Sequence, residues 1–240
     1  MKTIWTIAKK EYQLAMRSIT SNIVFVLFLI ISGSGFGSSV FKIGLAELRG
    51  LYGFQHMLFV FFIPAITMGS IARERQGGTI ELLSTLPIRL SHVIWGKVLA
   101  SALQLLTLLV FNIIPLAIIL VFGQGVDIGA VILGFVGLFL AGCSYVAIGI
   151  FASSLPSNQV LAFIIAFLIS GFFYITRYLL ILMPLSIVSY AQYFSFEYHL
   201  SGFMKGVLDI RDLLFFVGIT MIFSLLAEFN LQSRNLMQER

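Results

Sequence analysis

Six apolar runs of membrane-crossing length, at residues 22–40, 54–71, 98–122, 128–151, 160–183 and 213–231, occupy more than half of this 240-residue chain. A helix needs about 20 predominantly apolar residues to cross a bilayer. The segments between the runs are short, so no folded soluble domain fits among them. Charged residues make up 10% of the sequence and mean hydropathy is +1.03, whereas an ordinary soluble domain carries roughly 25% charged residues. The expected fold is all-α and integral to the membrane: one domain over 1–240 with six transmembrane helices and both termini on one side.

The basic residues orient it. With the N-terminus cytoplasmic, Lys2, Lys9, Lys10, Arg17, Arg73, Arg75, Arg89, Lys97, Arg234 and Arg240 lie inside, ten of the fifteen basic residues. Lys42, Arg49, Arg177, Lys205 and Arg211 lie at the other side. Cytoplasmic loops carry the excess of Lys and Arg, so an N-in, C-in topology is expected. The net charge of +5 is then an orientation signal, and no nucleic-acid partner is expected. Cys143 lies alone in the fourth span, which leaves no intrachain disulfide and no thiolate metal site. The polar leader before the first span is long for a signal peptide, and an uncleaved first helix is expected.

Residues 1–21 read as an amphipathic surface helix, with Trp5, Ala8, Tyr12, Ala15 and Ile19 along one stripe. The first span contains Gly33 and Gly37 at a spacing that allows close helix approach. Pro64 is expected to bend the second span. The fourth, with Gly134, Gly137, Ala141, Gly142 and Gly149, suits tight helix packing. Between the fifth and sixth spans, residues 184–212 are long and aromatic. Short helices at the outer interface are expected there.

One compact polar insert, residues 73–87, separates the second and third spans. Gly77 and Gly78 break the preceding helix. Thr79 can cap a new one, Glu81 puts negative charge near its N-terminal dipole, and Pro87 stops it. Leu82, Leu83 and Leu86 then share a face. About eight residues make a helix only ~12 Å long: a knob that can seat in a partner groove. The alternative is an ordinary charged cytoplasmic loop.

Catalytic chemistry finds little footing. Gly96-Lys97 lacks the upstream glycine and the hydroxyl of a phosphate-binding loop, so this chain is not expected to hydrolyse ATP. His56, His92 and His199 are too scattered for a metal site. Asn112 and Arg177 are the polar residues set deep enough in the spans to serve a translocation path. Their competing readings are interhelical hydrogen bonding for Asn112 and snorkelling to the surface for Arg177.

The insert resembles the signature of the ABC type 2 permease family. Glu74-Arg75, Gly78-Thr79-Ile80-Glu81, Leu82-Leu83, Thr85 and Pro87 follow its pattern. Residues 63–68, 145–159 and 206–212 extend the likeness over nearly the whole chain. It runs toward the permeases of gliding-motility and nitrous-oxide-reductase-maturation transporters. The resemblance implies that residues 79–86 form a coupling helix seated on a separate ATPase subunit. Arg73, Glu74, Arg75, Gly78, Thr79, Glu81, Leu82, Leu83, Thr85 and Pro87 would lie at or near that contact, within a cytoplasmic segment 72–97. Residues 1–21 would be the family's connecting helix and 184–212 its extracellular helices.

It further implies a bacterial inner-membrane exporter built from two permease copies and two ATPase subunits. ATP and magnesium would be bound by the partner, with no cofactor in this chain. Gly33 and Gly37 are candidates for the permease–permease contact, with packing inside the chain as the equal alternative, and membrane lipids complete the surroundings. The competing readings are an ATP-independent carrier or channel, and a membrane anchor for a surface machine such as that of gliding motility.

Overall fold

The computed structural model describes residues 2–43, 48–79, 89–123, 126–182, 184, 188 and 190–238, and among them all regular structure is helical. The helices are α1 (Lys2–Arg17), α2 (Ile19–Ile43), α3 (Arg49–Thr67), α4 (Ala72–Gln76), α5 (Leu90–Val110), α6 (Ile113–Phe122), α7 (Ile128–Ser154), α8 (Gln159–Leu179), α9 (Phe196–Met204) and α10 (Ile210–Gln238). Six stretches are long and apolar enough to cross a membrane: Ile19–Ser38, Arg49–Gln76, Leu90–Phe122, Ile128–Ser154, Gln159–Leu179 and Ile210–Ser233. Each overlaps one expected run. The third begins well before residue 98, because Leu90 to Lys97 continue the helix through a polar turn.

Helix α7 is the hub, packed against α3, α5, α8, α9 and α10. Its small residues are the reason. A Cβ on Gly134 would sit 2.5 Å from the Tyr52 ring, and one on Gly137 2.5 Å from Phe203. On Gly142 it would meet Leu105 at 2.3 Å, and on Gly149 the Thr67 hydroxyl at 2.0 Å. Each glycine is therefore a socket for a side chain of another helix, the close packing expected of a small-residue span. Above the hub lies an aromatic cluster, with Phe196 of α9 4.8 Å from both Tyr145 and Phe173, centroid to centroid.

Two prolines lie inside spans. Pro115 cannot donate to the carbonyl four residues back. The third span accordingly tightens at Phe111–Asn112, where Ile114 N reaches Phe111 O at 3.1 Å, and resumes as α6. Past Pro64, α3 ends at Thr67, earlier than the apolar run at 71, and the chain turns before α4. The connection between α8 and α10 holds a 3-10 turn at Gln192–Phe194 and the helix α9. Gly206 closes α9 at φ +78°, hard against the Ala130 backbone. A left-handed turn at that distance favours glycine.

Helix α1 packs along α5. Ala8 is buried, Ile7 seats on Gly96, and Tyr12 shares a hydrogen bond with Thr107 at 2.9 Å. Trp5 and Ile19 of the expected apolar stripe are exposed, free to face lipid. The face against α5 also carries Ile7 and Glu11, through their contacts with Gly96 and Lys97.

Candidate functional site

The described part of the insert, residues 73–79, is held at its root by two neighbouring helices, each tied in turn to another. The Ser153 hydroxyl, fully buried in α7, accepts from the backbone N–H of Ile71 and of Ala72, each at 3.0 Å, and donates to Met68 O at 2.8 Å. One side chain thus satisfies the donors left open by the turn into α4. Arg75 reaches the end of the same helix. Its Nη1 donates to the carbonyls of Ser154 (2.7 Å) and Leu155 (3.1 Å), and more weakly to Pro156 (3.4 Å). These are the carbonyls that a helix end leaves unpaired, at the negative pole of its dipole, where a cation is favoured. Asn230 of α10 donates to the Ser154 carbonyl as well, at 2.7 Å.

On the other flank, Glu74 Oε1 accepts from Lys97 Nζ at 2.7 Å, and Glu11 Oε2 lies 3.6 Å from the same ammonium. Lys97 is buried on α5, so its charge is met by carboxylates from α4 and α1. A buried charge requires such partners. Gly77 and Gly78 end α4, with Gly77 N bonded to Arg73 O and Gly78 at φ +67°. The Thr79 hydroxyl donates back to Glu74 O at 3.1 Å. Arg73 lies over Gly69, whose Cβ would stand 3.0 Å from the guanidinium. Glu81, Leu82, Leu83, Thr85 and Pro87 lie outside the described residues.

The other sequence candidates are elsewhere. A Cβ built on Gly33 or Gly37 would meet no described atom within 4 Å. Gly35, between them, seats the Phe54 ring instead. Asn112 forms a reciprocal amide pair with Gln55. Gln55 Nε2 donates to Asn112 Oδ1 at 2.7 Å, and Asn112 Nδ2 donates back at 3.0 Å. Gln55 Nε2 also reaches Ser32 Oγ at 2.7 Å, so the group ties α2, α3 and the third-span break together. Arg177, at the end of α8, pairs with Glu197 of α9. It lines a cavity of about 620 Å³ together with Arg49 and Lys205. The insert residues are thus clustered, while Asn112 and Arg177 are set apart from them.

Sequence reasoning did not single out Glu11, Lys97 or Ser153 as parts of the insert's seat, nor Gln55 as the partner of Asn112. Lys97 carried a usable signal. A lysine eight residues into a helix that continues as an apolar span needs an acidic partner, and Glu74 is among the few acids at that side.

Residues 5–238 match the family described as ABC-2 family transporter protein. A curated relative, the probable ABC transporter permease protein NosY of Pseudomonas aeruginosa, is 30% identical over 173 residues. That alignment covers 66% of this chain and 62% of the relative's length, so the chain spans a little under two thirds of the relative it matches. With a match from the first helix to the last and six membrane-length helices, the chain belongs to the ABC-2 transporter family, as a transmembrane ABC transporter subunit.

Proposed function

We propose that this chain is the permease subunit of an ATP-driven exporter in the bacterial inner membrane, with both termini cytoplasmic. A separate nucleotide-binding subunit holds ATP and magnesium and docks on residues 73–87. The observation that carries this reading is the bracing of the insert's root. A push on residues 73–79 acts on α5 and α1 through Glu74 and Lys97, and on α7 through Ser153 and Arg75. From the Ser154 carbonyl it passes to α10 through Asn230. A loop that served only to connect two spans would need no such attachment.

The relative's name, that of an ABC transporter permease, supports the same role. Two permease copies would meet across the α2 face that carries Gly33 and Gly37, which no described atom of this chain covers. Closure of the two ATPase subunits would then shift the insert and tilt the spans to open a central path. Arg177 and Asn112 are the candidate polar groups along that path.

The test is charge reversal, Glu81→Lys, in the assembled complex. Expected is loss of both export and stimulated ATP hydrolysis, with membrane insertion and monodisperse elution retained. Unchanged coupled activity overturns the docking role. Solute flux through liposomes that contain this chain alone would favour an ATP-independent carrier.

A further inference from the structure

The end of the bundle that carries the insert also holds a cleft of about 290 Å³, bounded by α1, the start of α2, the end of α3, α4 and α5. The ion trio of Lys97, Glu74 and Glu11 forms part of its wall, with Lys97 meeting both carboxylates. Two further cations on the wall, Lys10 and Arg73, make no hydrogen bond or ion pair with a described residue. Deeper in the cleft, Gln104 is only 5% exposed, and its Oε1 has no hydrogen-bond partner among the described residues. An unpaired buried carbonyl oxygen costs about 1–3 kcal/mol, so it marks a place where a donor is missing.

The occupant that satisfies these groups is an anion that also carries an N–H or O–H. A phosphodiester followed by an ammonium or hydroxyl group has that chemistry, whether it belongs to a lipid headgroup or to a soluble phosphate compound. The apolar half of the cleft decides between them. Leu14, Val24 and Ile66 line it beside the cations. From Val24 an apolar stripe continues down α2 through Leu27 and Ile31, spaced three and then four residues apart on one helix face. These two side chains are 47% and 36% exposed. The stripe leads from the polar cleft toward the middle of a membrane-length helix, the course an acyl chain would take.

We propose that the cleft binds the headgroup of one membrane phospholipid, with its phosphate on Lys10 and Arg73 and, once the enclosed Gln104 amide turns toward the cleft, a headgroup N–H or O–H donated to Gln104 Oε1. Bound there, the lipid joins α1, α2, the insert's root and α5, so its occupancy stiffens the base on which residues 73–79 stand. The site shares Arg73 with the proposed docking segment, but its test needs only this chain and its bilayer, so failure of one reading leaves the other standing.

The test is native mass spectrometry of the full chain after equilibration in nanodiscs that contain phosphatylethanolamine-type, phosphatidylglycerol-type and phosphatidylcholine-type lipids. One retained phospholipid per chain is expected, with the ethanolamine or glycerol headgroup favoured over choline, which has no N–H or O–H. The double variant Lys10→Gln, Arg73→Gln should retain lipid at least ten-fold less, while Lys2→Gln, Lys9→Gln, outside the cleft, should match the parent. Gln104→Met should keep a lipid but lose the discrimination against choline. Equal retention by both double variants overturns the site. Thermal protection by inorganic phosphate equal to that by phospholipid assigns the cleft to a soluble anion and overturns the lipid proposal.

Discussion

Lys97 shows how one residue can tie distant elements together. Its ammonium is buried on α5 and is met by Glu74 at 2.7 Å and Glu11 at 3.6 Å. Removing it by Lys97→Ala leaves two carboxylates facing one another across the joint between α1 and α4. The loss is expected to cost about 1.5–3 kcal/mol, the worth of a hydrogen bond to a charged group. It would be measured as denaturant-induced unfolding in mild detergent. The partner change Glu74→Gln on top of Lys97→Ala should cost less than the sum of the two single changes. Strict additivity would show that the pair contributes nothing. The amide pair of Gln55 and Asn112 follows the same logic in the apolar region, where each amide satisfies the other. Asn112 was visible in the sequence as a polar residue in a span. Its partner, 57 residues away, was not, because spacing along one helix says nothing about which neighbour it meets.

Among the elements, α7 carries most of the packing. The small residues of the fourth span announced a close-packed helix, and the structure adds which side chain fills each socket. Gly149 and Gly218 make a matched pair for testing this. A Cβ at Gly149 would stand 2.0 Å from the Thr67 hydroxyl and 2.8 Å from its Cβ, whereas one at Gly218 on α10 would meet nothing within 4 Å. Gly149→Ala should therefore destabilise by about 1–3 kcal/mol through overpacking. Gly218→Ala should be neutral or stabilising by up to about 1 kcal/mol, since alanine is the better helix former. Equal effects in the same unfolding assay would remove α7 from its place as hub. The insert was legible as break and turn, because Gly77 and Gly78 act locally. Its attachment through Ser153 and Arg75 was not, since both reach residues about 80 positions away.

Across the whole molecule, the basic residues divide by end. Arg73, Arg75 and Lys97 gather with α1 around the insert, while Arg49, Arg177 and Lys205 line the cavity at the other end with α9. The positive-inside rule then predicts that the insert faces the cytoplasm. On a Cys143→Ala background, Lys205→Cys should react with a membrane-impermeant maleimide in intact cells. Gln76→Cys should react only after the membrane is opened. Labelling of Gln76→Cys in intact cells would reverse the orientation and remove the docking role from the insert.

The segment between α8 and α10 also shows where tertiary contacts take over. His199 was one of three scattered histidines in the sequence. In the fold its Nδ1 lies 2.6 Å from Asp212 Oδ1 and its Nε2 3.0 Å from Tyr193 O, with the ring stacked on Phe215. That arrangement fastens α9 to the start of α10 and to the turn before it.

By itself the sequence determined the number of crossings, their approximate limits, the close-packing span and the helix break at Gly77 and Gly78. Those properties depend on residue type within a single turn or a single bilayer thickness. The tertiary structure alone decided which polar groups share a bond, which face of α1 is covered and which helices brace the insert. Those choices join residues far apart in the chain, and no local pattern encodes the partner that burial will supply.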